Sequence, residues 1–183
     1  MATAASFDDS YRETFALIAE HGDEVVETPP LVVYARERYG EVIDEIRPLL
    51  LHHWAELARN KDAIKLDPDY EQYLGAEALG KLWIFTARYD GRLIGYAIFV
   101  TARHAHYRDA LWAYNDIFWL APEHRRRQVG AQLFTVAEAA LRTAGVDVIH
   151  VTSKTAHPAA GKLLEHLGYD LIEIGHAKLL RGA

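Results

Sequence analysis

The chain has no cysteine and a single methionine in its 183 residues. The first absence excludes disulfides, thiolate-ligated zinc and a cysteine nucleophile. No apolar run approaches the ~20 residues that span a bilayer. The first residues, Met1 to Asp9, lack the basic start and apolar stretch of a secretory signal. Positive charge is scarce: 20 Lys and Arg face 26 Asp and Glu, a formal charge of −6. That balance argues against a general nucleic-acid binder. No internal repeat or low-complexity segment interrupts the chain. The expectation is a soluble cytoplasmic protein with neither nucleic acid nor membrane as partner.

What is present suits one domain with a sizeable core. Half the residues are hydrophobic, and 4 Trp, 10 Tyr and 6 Phe supply large apolar surfaces. Residues 7–21 read as a short helix with Phe15, Leu17 and Ile18 on its apolar side. The turn-rich stretch from Gly22 to Pro30 separates it from the rest, so residues 1–30 are expected to form a helical extension to a main domain at 31–183. Residues 31–34 read as a strand after Pro29-Pro30. Apolar positions at helical spacing run from Val42 to Leu57, with Pro48 expected to kink that helix or mark a restart. Residues 60–70 read as loop and 71–79 as a short helix. Two strand-like runs, 81–89 and 92–101, flank Asp90-Gly91, a strong hairpin signal. Residues 103–109 read as a loop and 111–120 as another strand. A helical stripe (Val129, Leu133, Val136, Ala137, Ala140, Leu141, Ala144) closes at Gly145. A strand at 146–151, a helix at 158–167 ending at Gly168, and a strand at 169–180 complete the chain. The order predicts an α/β (α+β) fold, a mixed sheet with helices on its faces.

The most informative stretch is Ala121-Pro122-Glu123-His124-Arg125-Arg126-Arg127-Gln128-Val129-Gly130-Ala131-Gln132-Leu133-Phe134. A basic turn between a strand and a helix collects unpaired backbone N–H groups and a positive dipole end at one point, which favours a phosphate. The bland alternative is a solvated basic turn.

That order of elements, with this turn in its middle, resembles the GCN5-related N-acetyltransferase (GNAT) superfamily over roughly residues 31–180. Residues 124–134 look like the family's pyrophosphate loop, with Arg125 at its first position and Gly130 at its last. Gln128 stands where the family's first glycine is expected. A second stretch, from His157 through Ala160, Leu163, Leu164 and Glu165 to Gly168-Tyr169, is similar to the family's Asn-x-x-Ala-x-x-Leu-Tyr-Glu-x-x-Gly-Phe/Tyr segment. His157 replaces the asparagine, and Leu164 replaces the tyrosine that commonly protonates the departing thiolate. The resemblance implies a mostly antiparallel mixed sheet of six to seven strands, splayed in the middle. It implies acetyl-CoA as acetyl donor, a small-molecule or protein amine as acceptor, and allows a homodimer.

It also implies roles. Backbone N–H groups of Arg126, Arg127, Gln128, Val129, Gly130 and Ala131, with charge from Arg125 to Arg127, would cradle the pyrophosphate. Amides at Phe118, Trp119 and Leu120 would lie along the cofactor and donate to the thioester oxygen. A carboxylate on the preceding strand, Asp116, would help deprotonate the amine, unless the register turns Asn115 inward instead. That task is large: a lysine-like amine is free base in about one molecule in 2,500 at pH 7, a deficit of roughly 4.6 kcal/mol. The lost tyrosine costs less, roughly 2 kcal/mol, because a thiol has a pKa near 8.5. Substitute acids by location are His157, Tyr107 and Tyr114, with His157 also beside the cofactor.

His104 and His106 suggest a zinc half-site or an acceptor-recognition loop, but no further ligand sits at a supporting spacing, so no metal is expected. His52, His53 and Trp54 read as packing and solvated positions on the first helix. A non-catalytic acyl-CoA sensor or scaffold remains the alternative, favoured by Gln128 and Leu164.

Overall fold

The computed structural model describes residues 31–125 and 128–180. The expected helix at 7–21 lies outside them. The elements follow as β1 (Val32–Glu37), α1 (Tyr39–Leu57), α2 (Tyr70–Ala78), β2 (Leu82–Tyr89), β3 (Arg92–His104), β4 (Tyr107–Leu120), a 3₁₀ turn (Pro122–His124), α3 (Val129–Thr143), β5 (Val148–His150) and α4 (Pro158–His166). One sheet runs β1-β2-β3-β4-β5; its first four strands are antiparallel and β4–β5 is parallel. No described helix is long and apolar enough to cross a membrane.

Local chemistry explains the elements. Tyr89 pairs with Arg92, and both Asp90 (φ 50°) and Gly91 (φ 73°) take the left-handed region. A two-residue turn of this kind matches the twist of the strands it joins. The N–H of Arg38 donates to the Glu41 carboxylate at 3.0 Å, and Asp69 accepts from the N–H of Gln72 at 3.0 Å, opening α1 and α2. The sheet is covered on both faces because successive strand residues point opposite ways. Ile84, Ile98 and Ile117 turn to α1 and α2. Phe99 and Phe118 turn to the other face, where both meet Phe134 of α3 edge-on.

Three expectations are corrected. Among the described residues the sheet has five strands, not six or seven. Residues 169–180, expected as the last strand, join no ladder; Leu171, Ile172, Ile174 and Leu180 are 80, 61, 71 and 81% exposed. A strand is held by a neighbour's edge, and apolar residues on both of its faces select no single side to bury. Of the two readings of Pro48 the restart is overturned, because the first helix runs as one element from Tyr39 to Leu57 with the proline inside it. The loop expected at 103–109 shrinks to Ala105-His106, because His104 ends β3 and stacks on Tyr107 (4.8 Å) and Trp112 (4.6 Å) of β4.

Candidate active site

The centre of β4 carries an irregularity. Ile98 pairs with Ile117, but the next residue of β3, Phe99, pairs with Asn115, so Asp116 is an extra residue in the ladder. Such a bulge bends its strand and re-aims one side chain. Asn115 fixes it, its Nδ2 donating to the carbonyls of Ile98 and Ile117 at 3.0 Å each. With both amide protons so used, Asn115 is a positioning residue, whereas the Asp116 side chain is exposed. The Asp116 carboxylate accepts a hydrogen bond from Tyr73 Oη of α2 at 2.6 Å. Burial first, then this bond and the carboxylate's charge, push the Tyr73 phenol up, so it stays a donor.

Beyond the bulge a gap opens. The β4–β5 ladder has three pairs and stops at Tyr114–His150, while β4 continues to Leu120. Along that outer edge alternate backbone groups have no strand to bond. Phe118, Trp119 and Leu120 line its end: the Phe118 ring packs on Phe134, and the Trp119 ring lies 5.9 Å from that of Tyr96.

The chain then turns into α3. Gln128 is its N-cap, at φ 58°, with its exposed side chain making no capping bond. Glycine is the residue that takes such a positive φ at least cost. Val129, Gly130 and Ala131 present N–H groups that no helix satisfies internally, and the first turn carries no acidic residue. Gly130 lets the helix start press on its neighbours: an added Cβ would lie 3.1 Å from Leu163 Cδ2 and 3.4 Å from Phe118 Cζ. Unsatisfied amides at a helix start attract anions such as phosphate. Arg126 and Arg127 lie outside the described residues. Replacing Gln128 with glycine relieves a left-handed conformation costing about 1–2 kcal/mol, against a smaller entropic loss. Gln128→Gly is therefore expected to raise Tm by about 2 °C; a lower Tm in a thermal melt would show that the glutamine contributes contacts of its own.

Arg125 faces elsewhere than expected. Its Nε donates to the carbonyl of Leu120 at 2.8 Å, and its two terminal nitrogens fork onto Glu56 of α1 at 2.6 and 2.7 Å. The guanidinium is a strut joining the end of β4 to the end of α1.

Around that strut several ionisable groups converge. Burial pushes the His53 imidazole down; Glu56 and Asp116 pull it up, and Lys154 and Arg125 push it further down. Glu56 is held low chiefly by its bonds to Arg125, with His157 and His53 adding to this. His157, the N-cap of α4, thus shares a field with Glu56. Helix α1, the bulge, the basic turn and the segment after β5 meet here. Glu56, Tyr73 and Lys154 were not singled out in the sequence, and His53 was read there as a packing or solvated position. The available signal was the i, i+3 spacing of His53 and Glu56, which places two ionisable groups on one side of the helix. Tyr107 is 60% exposed at the start of β4, and Tyr114 closes the parallel ladder. Leu164 is buried. Among the described residues, no three His, Asp or Glu are placed to hold a metal ion.

Comparison with known proteins places this arrangement. The model of the acetyltransferase (GNAT) family matches residues 46–169. No curated protein matches the chain in sequence. A ribosomal-protein-alanine N-acetyltransferase from Brucella melitensis biovar Abortus 2308 superposes with a TM-score of 0.65 at 19% identity, over 81% of this chain and 99% of that one. The aminoglycoside N-acetyltransferase AAC(6′)-Iy, in complex with CoA, gives 0.63 at 19% identity over 86% and 99%. An aminoglycoside acetyltransferase from an uncultured soil metagenomic sample, in complex with sisomicin, gives 0.64 at 12% identity over 82% and 97%. These likenesses are of fold. With the family's model running from α1 through β2–β5 to Tyr169, over more than half of its length, this chain belongs to the acetyltransferase (GNAT) family and is an acyltransferase.

Proposed function

We propose that the protein transfers an acetyl group from acetyl-CoA to a primary amine by direct attack on the thioester. One juxtaposition carries the reading: a bulge presents a carboxylate on a strand whose open edge leads to an acid-free helix start. The amides of Val129, Gly130 and Ala131, with charge from Arg126 and Arg127, hold the diphosphate. Amides on the open edge at Phe118, Trp119 and Leu120 donate to the thioester oxygen as negative charge builds there. Asp116 takes the proton that the ammonium loses, directly or through water. The amine nitrogen bonds to the carbonyl carbon and gives up its second proton to water, the C–S bond breaks, and the sulfur leaves as thiolate. His157, at the start of α4, returns a proton to it, since Leu164 has none to give. Relatives named for aminoglycosides and for a ribosomal-protein alanine support an amine acceptor. Thiol release from acetyl-CoA across a panel of primary amines tests the reading. Binding of acetyl-CoA by calorimetry with no release from any amine would favour the second reading, an acyl-CoA sensor, for which the buried Leu164 speaks.

Arg125 supplies a separate test. As a strut it needs Glu56; as a phosphate ligand it is restrained by Glu56. Glu56→Gln is therefore expected to weaken acetyl-CoA binding a few-fold, as is Arg125→Ala, by letting the turn drift from α1. Tighter binding in Glu56→Gln, read by calorimetry, would mean that the freed guanidinium reaches the phosphates.

A further inference from the structure

A chamber of about 370 Å³ lies between α1, α2 and the sheet, with no residue of α3 in its lining. Its floor is Ile84, Ile98 and Ile117, three residues on one sheet face. Ile43, Leu50 and Trp54 of α1 form one wall, and the rings of Tyr39 and Tyr73, stacked 5.9 Å apart, form another. The charged residues of its lining, Arg59, Lys65 and Asp67, all belong to the exposed connection after α1.

One polar atom stands at the border of the apolar lining. Tyr73 contributes its ring to the wall while its hydroxyl is bonded to Asp116. The Tyr39 hydroxyl is buried without a partner among the described residues. Ile117 and Ile98 tie the same end of the chamber to the bulge, Ile117 as the neighbour of Asp116 and Ile98 through its carbonyl's bond to Asn115. The chamber is thus apolar along its length and adjoins the proposed base at one end. A polyhydroxylated body placed in it would lose its water without gaining partners. An alkyl or aryl body loses nothing by entering.

We propose, resting on the acetyltransferase reading above, that this chamber is the acceptor subsite and takes the apolar body of a primary amine, its amino group held at Asp116. Its size sets an upper limit. A cavity of about 150 Å³ accommodates benzene, so this one accommodates about fifteen non-hydrogen atoms.

A homologous series of n-alkylamines tests this through thiol release from acetyl-CoA. Each added methylene should raise kcat/KM about three- to fourfold, the factor for moving one such group out of water, until the chain outgrows the chamber. Phenethylamine should exceed spermidine and kanamycin by at least tenfold. Two variants narrow the chamber from different sides: Ile43→Phe from α1, and Ile64→Trp on the connection, where Ile64 is 45% exposed and a larger ring is tolerated by the fold. Each should abolish the chain-length dependence while acetyl-CoA binding stays within twofold. A flat series with good turnover overturns the chamber and leaves the acetyltransferase reading standing. Saturation-transfer NMR of octylamine, lost in both variants but with no thiol release from any amine, overturns the activity and leaves the chamber standing.

Discussion

Asp116→Asn is expected to lower kcat/KM for amine acetylation by a factor of about 10²–10⁴, the range a general base supplies, with acetyl-CoA affinity within about twofold of the parent. The substitution keeps the shape of the side chain and an oxygen for the Tyr73 hydroxyl, so the bulge and its Asn115 clamp persist and Tm is expected to stay within about 1 °C. Only proton acceptance is lost. Tyr73→Phe separates position from chemistry. It removes the 2.6 Å bond that orients the carboxylate yet leaves the carboxylate, so a smaller loss, about tenfold, is expected. His53 enters the same experiment. Burial holds its imidazole below the usual histidine range, so it is neutral at pH 7 and able to accept a proton. If the proton passes onward through His53, the pH–rate profile falls on the acid side through an apparent pKa below 6.5, and His53→Gln removes that limb. A full rate in Asp116→Asn would end its assignment as base; a full rate with the limb abolished in His53→Gln would transfer the role to the imidazole.

The sequence made some of this legible because the relevant information is local. Asp90-Gly91 dictates a two-residue turn by its tolerance of positive φ. The stripe from Val129 to Leu141 places α3 by its period, although Phe134, which bridges Phe99, Phe118 and Tyr169, falls outside that stripe. The basic turn also reads directly, because a strand running into a helix start is a sequence-local event. What was not legible depends on register and on distant partners. Whether Asp116 or Asn115 faces the acceptor is decided by a single unpaired residue between β3 and β4, and no pattern within β4 records that. Arg125 looks like a phosphate ligand by its place in the motif, yet its partner Glu56 lies 69 positions away. Residues 169–180 carry the composition of a strand, but a ladder needs an edge that composition cannot supply. His53 was hidden for a similar reason: its significance comes from groups on other elements.

Helix α1 matters most in this account, and its fastening yields the largest expected change in stability. Arg88 of β2 donates from Nε and Nη2 to both oxygens of Glu37 on β1 at 2.8 and 2.9 Å, and from Nη1 and Nη2 to Glu45 of α1 at 2.9 and 2.7 Å. Thr86 donates to the same Glu37 carboxylate. The side chains of Arg88 and Glu37 are only 20 and 16% exposed. Arg88→Met strands the Glu37 charge with one hydroxyl for company, and is expected to cost about 2–3 kcal/mol, at the low end for breaking a buried pair because some water remains. In a chain of this size that is a fall in Tm of about 5–10 °C. The double variant Glu37→Gln/Arg88→Met should recover much of the loss, since no unpaired charge remains. The pH dependence follows from the direction of the shift. Arg88's hydrogen bonds, the largest influence, hold the Glu37 carboxyl below its ordinary value of 4.5, so the pair's contribution is fully present above that value and fades as pH falls below it. The Tm gap between parent and Arg88→Met should therefore be wide at pH 7 and narrow below pH 4; a gap independent of pH would mean that the arginine's stem, not its charge, holds the helix. Glu45 and Glu56 lie about 16 Å apart along α1, so Arg88 and Arg125 fasten the helix near its middle and its end, with the chamber wall and His53 carried alongside. Loosening the Glu45 end is expected to raise KM for the amine and leave acetyl-CoA binding unchanged, because α3 and the open β4 edge make no use of that contact.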